Sequence, residues 1–249
     1  MDLNADLGEG YGVWQLGDDE ALLAVVTSAN IACGFHAGDA STIRRACAGA
    51  ARRKVTVGAQ VSYRDLAGFG RRRIDYQPDE LTDEVLYQIG ALDGLCRPEG
   101  TGVRYVKPHG ALYHACVDDE VQAAAVVRAV REYDPALPLL AAPGSALLRL
   151  ATEAGLSAVP EGFADRAYTP EGGLVPRSVS GAVLHDPEQV ADRAVRLARD
   201  HEVRAVDGSV GVLTVRSLCL HSDTPGAVEL AHRVRAALVD AGLTLAPFV

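Results

Sequence analysis

No run of roughly 18 or more uncharged apolar residues occurs in this sequence, so a membrane-spanning helix is not expected. Cysteine is scarce and odd in number, five in 249 residues, with no Cys-x-x-Cys pair. That argues against both a disulfide framework and a zinc ribbon, and Cys33, Cys47, Cys96, Cys116 and Cys219 are expected to be small core residues. An excess of positive charge is also missing. The net charge of −9 and the isoelectric point near 5.2 speak against a nucleic-acid partner. The first residues, Met1-Asp2-Leu3-Asn4-Ala5-Asp6, are acidic where a secretory leader is basic, so a cytoplasmic protein without a membrane partner is expected. There is no Walker-type Gly-x-x-x-x-Gly-Lys-Ser/Thr loop and no Gly-x-Gly-x-x-Gly after a strand, so nucleotide binding is not visible in the motifs. Lysine is nearly absent, Lys54 and Lys107 standing beside 22 arginines, which makes Lys107 easy to single out.

What is present is a repeated unit of strand, polar turn and helix. It is plainest from Ser28 to Asp39, SANIACGFHAGD, where small apolar residues suited to a buried strand run into two glycines flanking a histidine. The alanine-rich helix that follows, Ala40 to Arg53, would be capped by Asp39 or Ser41. Strands are expected near Met1–Asn4 and at residues 55–61, 103–106, 137–142, 156–160 and 210–220. Helices are expected at 18–26, 78–96, 119–133, 145–154 and 187–201, with a closing helix from Thr224-Pro225 to Ala241. Alternation of this kind implies parallel strands, and no linker divides the chain. At this length a single α/β barrel, residues 1–249, is preferred over a doubly wound sheet, because polar sets follow six of the seven strands.

Those strand ends would bring Asp6, Glu9, His36, Asp39, Gln60, Lys107, His109, Glu161, Asp165, Arg166 and His221 to one mouth. Lys107 and His109, separated by Pro108, point the same way if the chain stays extended. Two loops, Ser62 to Arg73 and Tyr168 to Ser178, are expected to cover the pocket and to carry Arg72 and Arg177 as anion ligands. Carboxylates beside histidines can hold a divalent metal, or can form a metal-free acid–base site in which Lys107 or an arginine holds an anionic substrate. Spacing does not choose between these, since no local His-x-x-x-His pair exists.

The runs MDLNADLGEG, SANIACGFHAGD, GFGRR, VKPHGALY, FADRAY, LVPRS and CLH, in that order along the whole chain, resemble the LamB/YcsF family. The resemblance implies a distorted TIM-like (β/α)7-type barrel of the glycoside hydrolase/deacetylase superfamily. It also implies a hydrolase role in the ATP-dependent opening of 5-oxoproline to glutamate, with 5-oxoprolinase subunits B and C as partners and ATP as co-substrate. Many family members look to have a histidine-proline pair where this chain has Gln60-Val61, which counts against a metal role there. On this reading Asp6, Glu9, His36, Asp39, Lys107, His109, Glu161 and Asp165 are catalytic candidates, and any metal would sit on Asp6, His36 and His109. Asn4, Asn30, Gln60, Arg72, Arg166, Arg177 and His221 are the substrate-binding candidates. Two rivals remain: a stand-alone metal-dependent deacetylase or amidohydrolase, and a non-catalytic subunit that only presents substrate.

Overall fold

A computed structural model describes residues 1–223 and 226–249, and it closes seven parallel strands into a barrel. The barrel strands are β1 (Asp2–Leu7), β2 (Ser28–Ala32), β3 (Thr56–Val61), β4 (Val103–Pro108), β5 (Leu139–Ala141), β6 (Ala158–Phe163) and β9 (Ser217–Leu220). They pair in that order, and β9 returns to pair with β1, Asp2 opposite Ser217. Between β6 and β9 a two-stranded antiparallel sheet, β7 (Glu202–Arg204) and β8 (Val210–Val212), stands outside the barrel.

The helices α1 (Asp19–Leu23), α2 (Ala40–Arg53), α3 (Pro78–Cys96), α4 (Gly110–Asp118), α5 (Glu120–Tyr133), α6 (Ala146–Glu153), α7 (Pro187–Val195) and α8 (Ala227–Asp240) connect the strands. Each buries one stripe. In α3 the stripe is Leu81, Val85, Ile89 and Leu92, all at most 1% exposed and spaced by three or four residues, which puts them on one helical face. Truncating one of these to alanine is expected to cost about 2–5 kcal/mol, as for other close-packed cores. Along β1 the side chains alternate: Leu3, Ala5 and Leu7 join the hydrophobic core, whereas Asp2, Asn4 and Asp6 bond to groups on other barrel strands and so line its interior.

All five cysteines are free and buried, as expected, with Cys96 Sγ 3.4 Å from Cys47 Sγ between α3 and α2. Several boundaries differ from the sequence reading, among them β1, which runs on to Leu7, and β6, which runs on to Phe163. The expected strand at 210–220 is two strands, because β8 turns back on β7 and only Ser217–Leu220 reaches the barrel. The helix expected at 187–201 ends as α7 at Val195 and continues as a π-helical turn, Arg196–Asp200. The short α4 was not anticipated. The start expected for the closing helix, Thr224-Pro225, lies outside the described residues. No helix among the described residues is long and apolar enough to cross a membrane.

Candidate active site

Inside the barrel the strands deliver a column of polar side chains that bond to one another, with Glu161 Oε2 left without a partner. Asp2 accepts from Thr27, Ser28 and Ser217 at the amino end. One layer up, Asn4 Nδ2 donates to Glu161 Oε1 (3.0 Å) and Ser217 Oγ (2.6 Å), while Asn30 Nδ2 donates to Asn4 Oδ1 (2.6 Å) and Asp6 Oδ1 (2.9 Å). Lys107 reaches into this layer, its Nζ 2.8 Å from Glu161 Oε1, 3.3 Å from Asn4 Oδ1 and 3.5 Å from Asp6 Oδ1. Burial opposes charge on Lys107, but Asp6, Cys219 and Glu161 outweigh it and hold its pKa well above the ordinary lysine value. The ammonium is therefore a fixed positive charge beneath the mouth.

Above that layer the chain turns at Gly8, whose φ of +71° is open to glycine, and swings Glu9 back over the barrel. Glu9 Oε1 lies 4.0 Å from His36 Nε2 and 3.9 Å from His109 Nε2. The two imidazoles stack, ring centroids 4.1 Å apart, and Phe69 stands edge-on to both. Gln60 bridges the group, its Nε2 donating to Glu9 Oε1 and its Oε1 facing His36 Nε2, both at 3.2 Å. Burial lowers His36 to about 4, and burial together with His36 and Arg71 lowers His109 well below its ordinary value. Burial, Asp6 and Asp223 raise Glu9 well above the usual carboxyl range. Glu9, His36 and His109 thus offer three ligand atoms within 4.8 Å of one another, and their neutral rings suit a divalent cation.

A different histidine faces the adjoining cleft. Asp165, fully buried, accepts from the His221 backbone N–H (3.1 Å) and lies 2.8 Å from its Nδ1. Burial would favour the neutral acid, but His221 outweighs it and holds the Asp165 carboxyl below its ordinary value. A carboxylate on Nδ1 fixes the ring and its tautomer and leaves Nε2 as the free acid–base atom. The cleft, about 850 Å³, is lined by His221, His109, Asp6, Lys107, Tyr113 and Phe163, and by Arg71, Arg73, Arg166 and Arg177. Asp118 and Asp119 also line it, Asp119 paired with Arg73, yet the cations outnumber the carboxylates, which in a chain of net charge −9 suits an anion.

The expected residues therefore divide. Asp6, Lys107, His109, Arg166, Arg177 and His221 line the cleft, with Asp165 behind His221. Asn4, Asn30 and Glu161 lie beneath it, at most 1% exposed and bonded to barrel neighbours, so they support Asp6 and Lys107 rather than touch a ligand. Gln60 is spent on Glu9 and His36. Asp39 caps α2, accepting from Ser41 N and Thr42 N, and its other oxygen takes Gly12 N and Thr42 Oγ1, which leaves nothing for catalysis. Arg72 is turned outward onto Asp65, away from the cleft. Arg166 donates to the backbone oxygens of Val175 and Ala182 and so ties down its own loop. In the metal-capable set Glu9 replaces Asp6, which is held a layer lower by Asn30 and Lys107. Arg71, Arg73 and Tyr113 were missed. Arg71 and Arg73 sit in the arginine run that the sequence did flag, and Arg71 is aimed by Asp223.

Polar groups gathered at the carboxyl ends of parallel barrel strands make this a (β/α)-barrel protein with an acid–base site. The chain belongs to the LamB/YcsF family, whose model matches residues 1–249. A Streptomyces avermitilis protein, named as the A subunit of 5-oxoprolinase, is 62% identical over 248 residues, spanning 100% of this chain and 99% of its own length. One of the same name from Mycolicibacterium gilvum is 57% identical, spanning 100% and 98%. The crystal structure of the lactam utilization protein from Thermus thermophilus superposes with a TM-score of 0.95 at 44% identity, covering 100% of this chain and 99% of that one.

Proposed function

We propose that this chain is the lactam-opening component of an ATP-dependent 5-oxoprolinase, converting 5-oxoproline to glutamate together with subunits B and C. The observation that carries the reading is the Asp165–His221 pair opening onto an arginine-lined cleft. The names of the relatives and of the Thermus protein point to the same substrate class. A lactam carbonyl resists water at neutral pH, so transfer of the ATP γ-phosphoryl group to its oxygen activates the ring carbon. Arg71 and Arg177 face the substrate's negative charge. His221 Nε2 takes a proton from the attacking water and returns it to the ring nitrogen as the C–N bond breaks, while Asp165 stabilises the imidazolium. The acyl phosphate left on the side chain is hydrolysed by a second water. Glu9, His36 and His109 would hold any divalent ion, which would supply a Lewis acid beside the cleft.

That same trio favours a second reading, a metal-dependent amidohydrolase that acts alone. Glutamate release from 5-oxoproline is measured with this chain alone and with subunits B and C, with and without ATP and a chelator. Turnover only with ATP and partners supports the first reading. Turnover alone that a chelator abolishes supports the second. Substrate binding and activity of the complex that both survive loss of every acid–base candidate in this chain would reduce it to a binding subunit.

A further inference from the structure

One polar group in the cleft wall has no partner and no part in the reaction as drawn: the hydroxyl of Tyr113. The residue is 6% exposed, lies in the first turns of α4, and lines the cleft. Its oxygen is buried without a hydrogen bond, the one hydroxyl so left among the described residues. Burying an unpaired hydroxyl costs about 1–3 kcal/mol, so such a group is kept where something absent from the free protein completes it. Its surroundings say what that is. The Tyr113 ring stands edge-on to Phe163 (5.7 Å, 87°), and the opposite neighbour, His221, stacks on Phe163 (5.4 Å, 16°). Lys107 Nζ lies 5.3 Å from the same Phe163 ring. Tyr113 and His221 thus pack on the same Phe163 ring in the wall of one cleft. The arginines supply charge for anionic groups, and Tyr113 supplies a neutral donor, the complement of an amide oxygen. Burial and Glu161 keep the phenol protonated far above neutral pH, so it acts only as a donor there.

We propose that the Tyr113 hydroxyl donates a hydrogen bond to the oxygen on the lactam ring carbon, which carries the transferred phosphoryl group, drawing electron density from that carbon as water adds to it. This rests on the 5-oxoprolinase reading. The test is Tyr113→Phe in the complex with subunits B and C, with steady-state kinetics on 5-oxoproline and a thermal melt of each protein. A donor used in the transition state predicts kcat lower by about 10²-fold with KM within about threefold. Because the hydroxyl has no partner in the free chain, the variant melts no lower than the wild type. Unchanged kcat and KM in an active complex overturns the proposal and leaves the reading of the function intact. So does a loss of activity that tracks a lower melting temperature, since that marks a structural hydroxyl. If the wild-type complex makes no glutamate, the functional reading falls and this inference falls with it.

Discussion

The same barrel mouth holds histidines in two opposite conditions. His36 and His109 are stacked on each other, buried, and their Nδ1 atoms have no hydrogen-bond partner. His221, next in the chain to the Ser222 that bonds Glu9, has its Nδ1 clasped by a buried carboxylate. The first pair is kept neutral by burial and by Arg71, with His36 adding to the effect on His109, which suits lone-pair donation. The second is oriented by Asp165 at Nδ1, which leaves Nε2 as the atom open to proton transfer. Residue type did not decide these conditions; whether a carboxylate is hydrogen-bonded to Nδ1 did.

The comparison breaks most visibly if that carboxylate is removed. Asp165→Asn leaves the ring in place but reverses the tautomer preference, and turnover in the complex should fall by about 10³-fold with little change in KM. An effect below about tenfold would mean that His221 is not the base. Next in size is Lys107→Met, which leaves Glu161 buried without its cation. It should lower unfolding free energy by about 3–5 kcal/mol in denaturant titration, and adding Glu161→Gln should recover part of the loss.

Acid unfolding separates the two histidine conditions by pH window. His36 lies near 4 when folded against an ordinary value of 6.5. Between these values the unfolded chain binds a proton that the folded chain refuses. Stability therefore falls as pH drops from about 6.5 to 4, by up to about 3 kcal/mol for His36. His109 adds to this in the same sense. Asp165, held below its ordinary value, gives stability present above about pH 4 and lost only as pH falls further. Glu9, raised when folded, acts in the opposite sense above its ordinary value, so the quantity to measure is the slope of wild type minus that of His36→Gln. Equal slopes between about pH 6.5 and 4.5 would refute the neutral, enclosed state of His36. The smallest effect belongs to Arg72→Ala. Its guanidinium is exposed and paired with Asp65 outside the cleft, so the melting temperature should hardly move and KM should change by less than about threefold.

Strand ends were legible because a parallel barrel has few ways to place them. Two-residue alternation names the inward side chains, and the first polar residues after each strand fall at one rim, which is how Asp6, Lys107, His109 and His221 stand out. What was not legible depends on paths through space. Gly8 sends Glu9 above Asp6, so the ligand set needs the turn geometry and not the spacing. Asp39 offered both a cap and a catalyst, and only the helix start at Ala40 decides for the cap. In the arginine run, Asp65 claims Arg72 whereas Asp223, 152 residues distant from Arg71, draws that side chain to the cleft. The valine-rich segment before β9 has strand propensity throughout, and nothing local tells the half that pairs with β7 from the half that closes the barrel.

The pairing of β1 with β9 also orders the site in time. Asp6 and Glu9 lie on and just beyond the first strand, yet one edge of that strand stays unpaired until Ser217–Leu220 arrives more than 200 residues later. Contacts of such sequence separation form late, so the mouth is completed only when the closing strand pairs. A nascent or truncated chain can assemble several helix–strand units and still carry no site, which ties the onset of activity to the closing strand rather than to the residues that perform it.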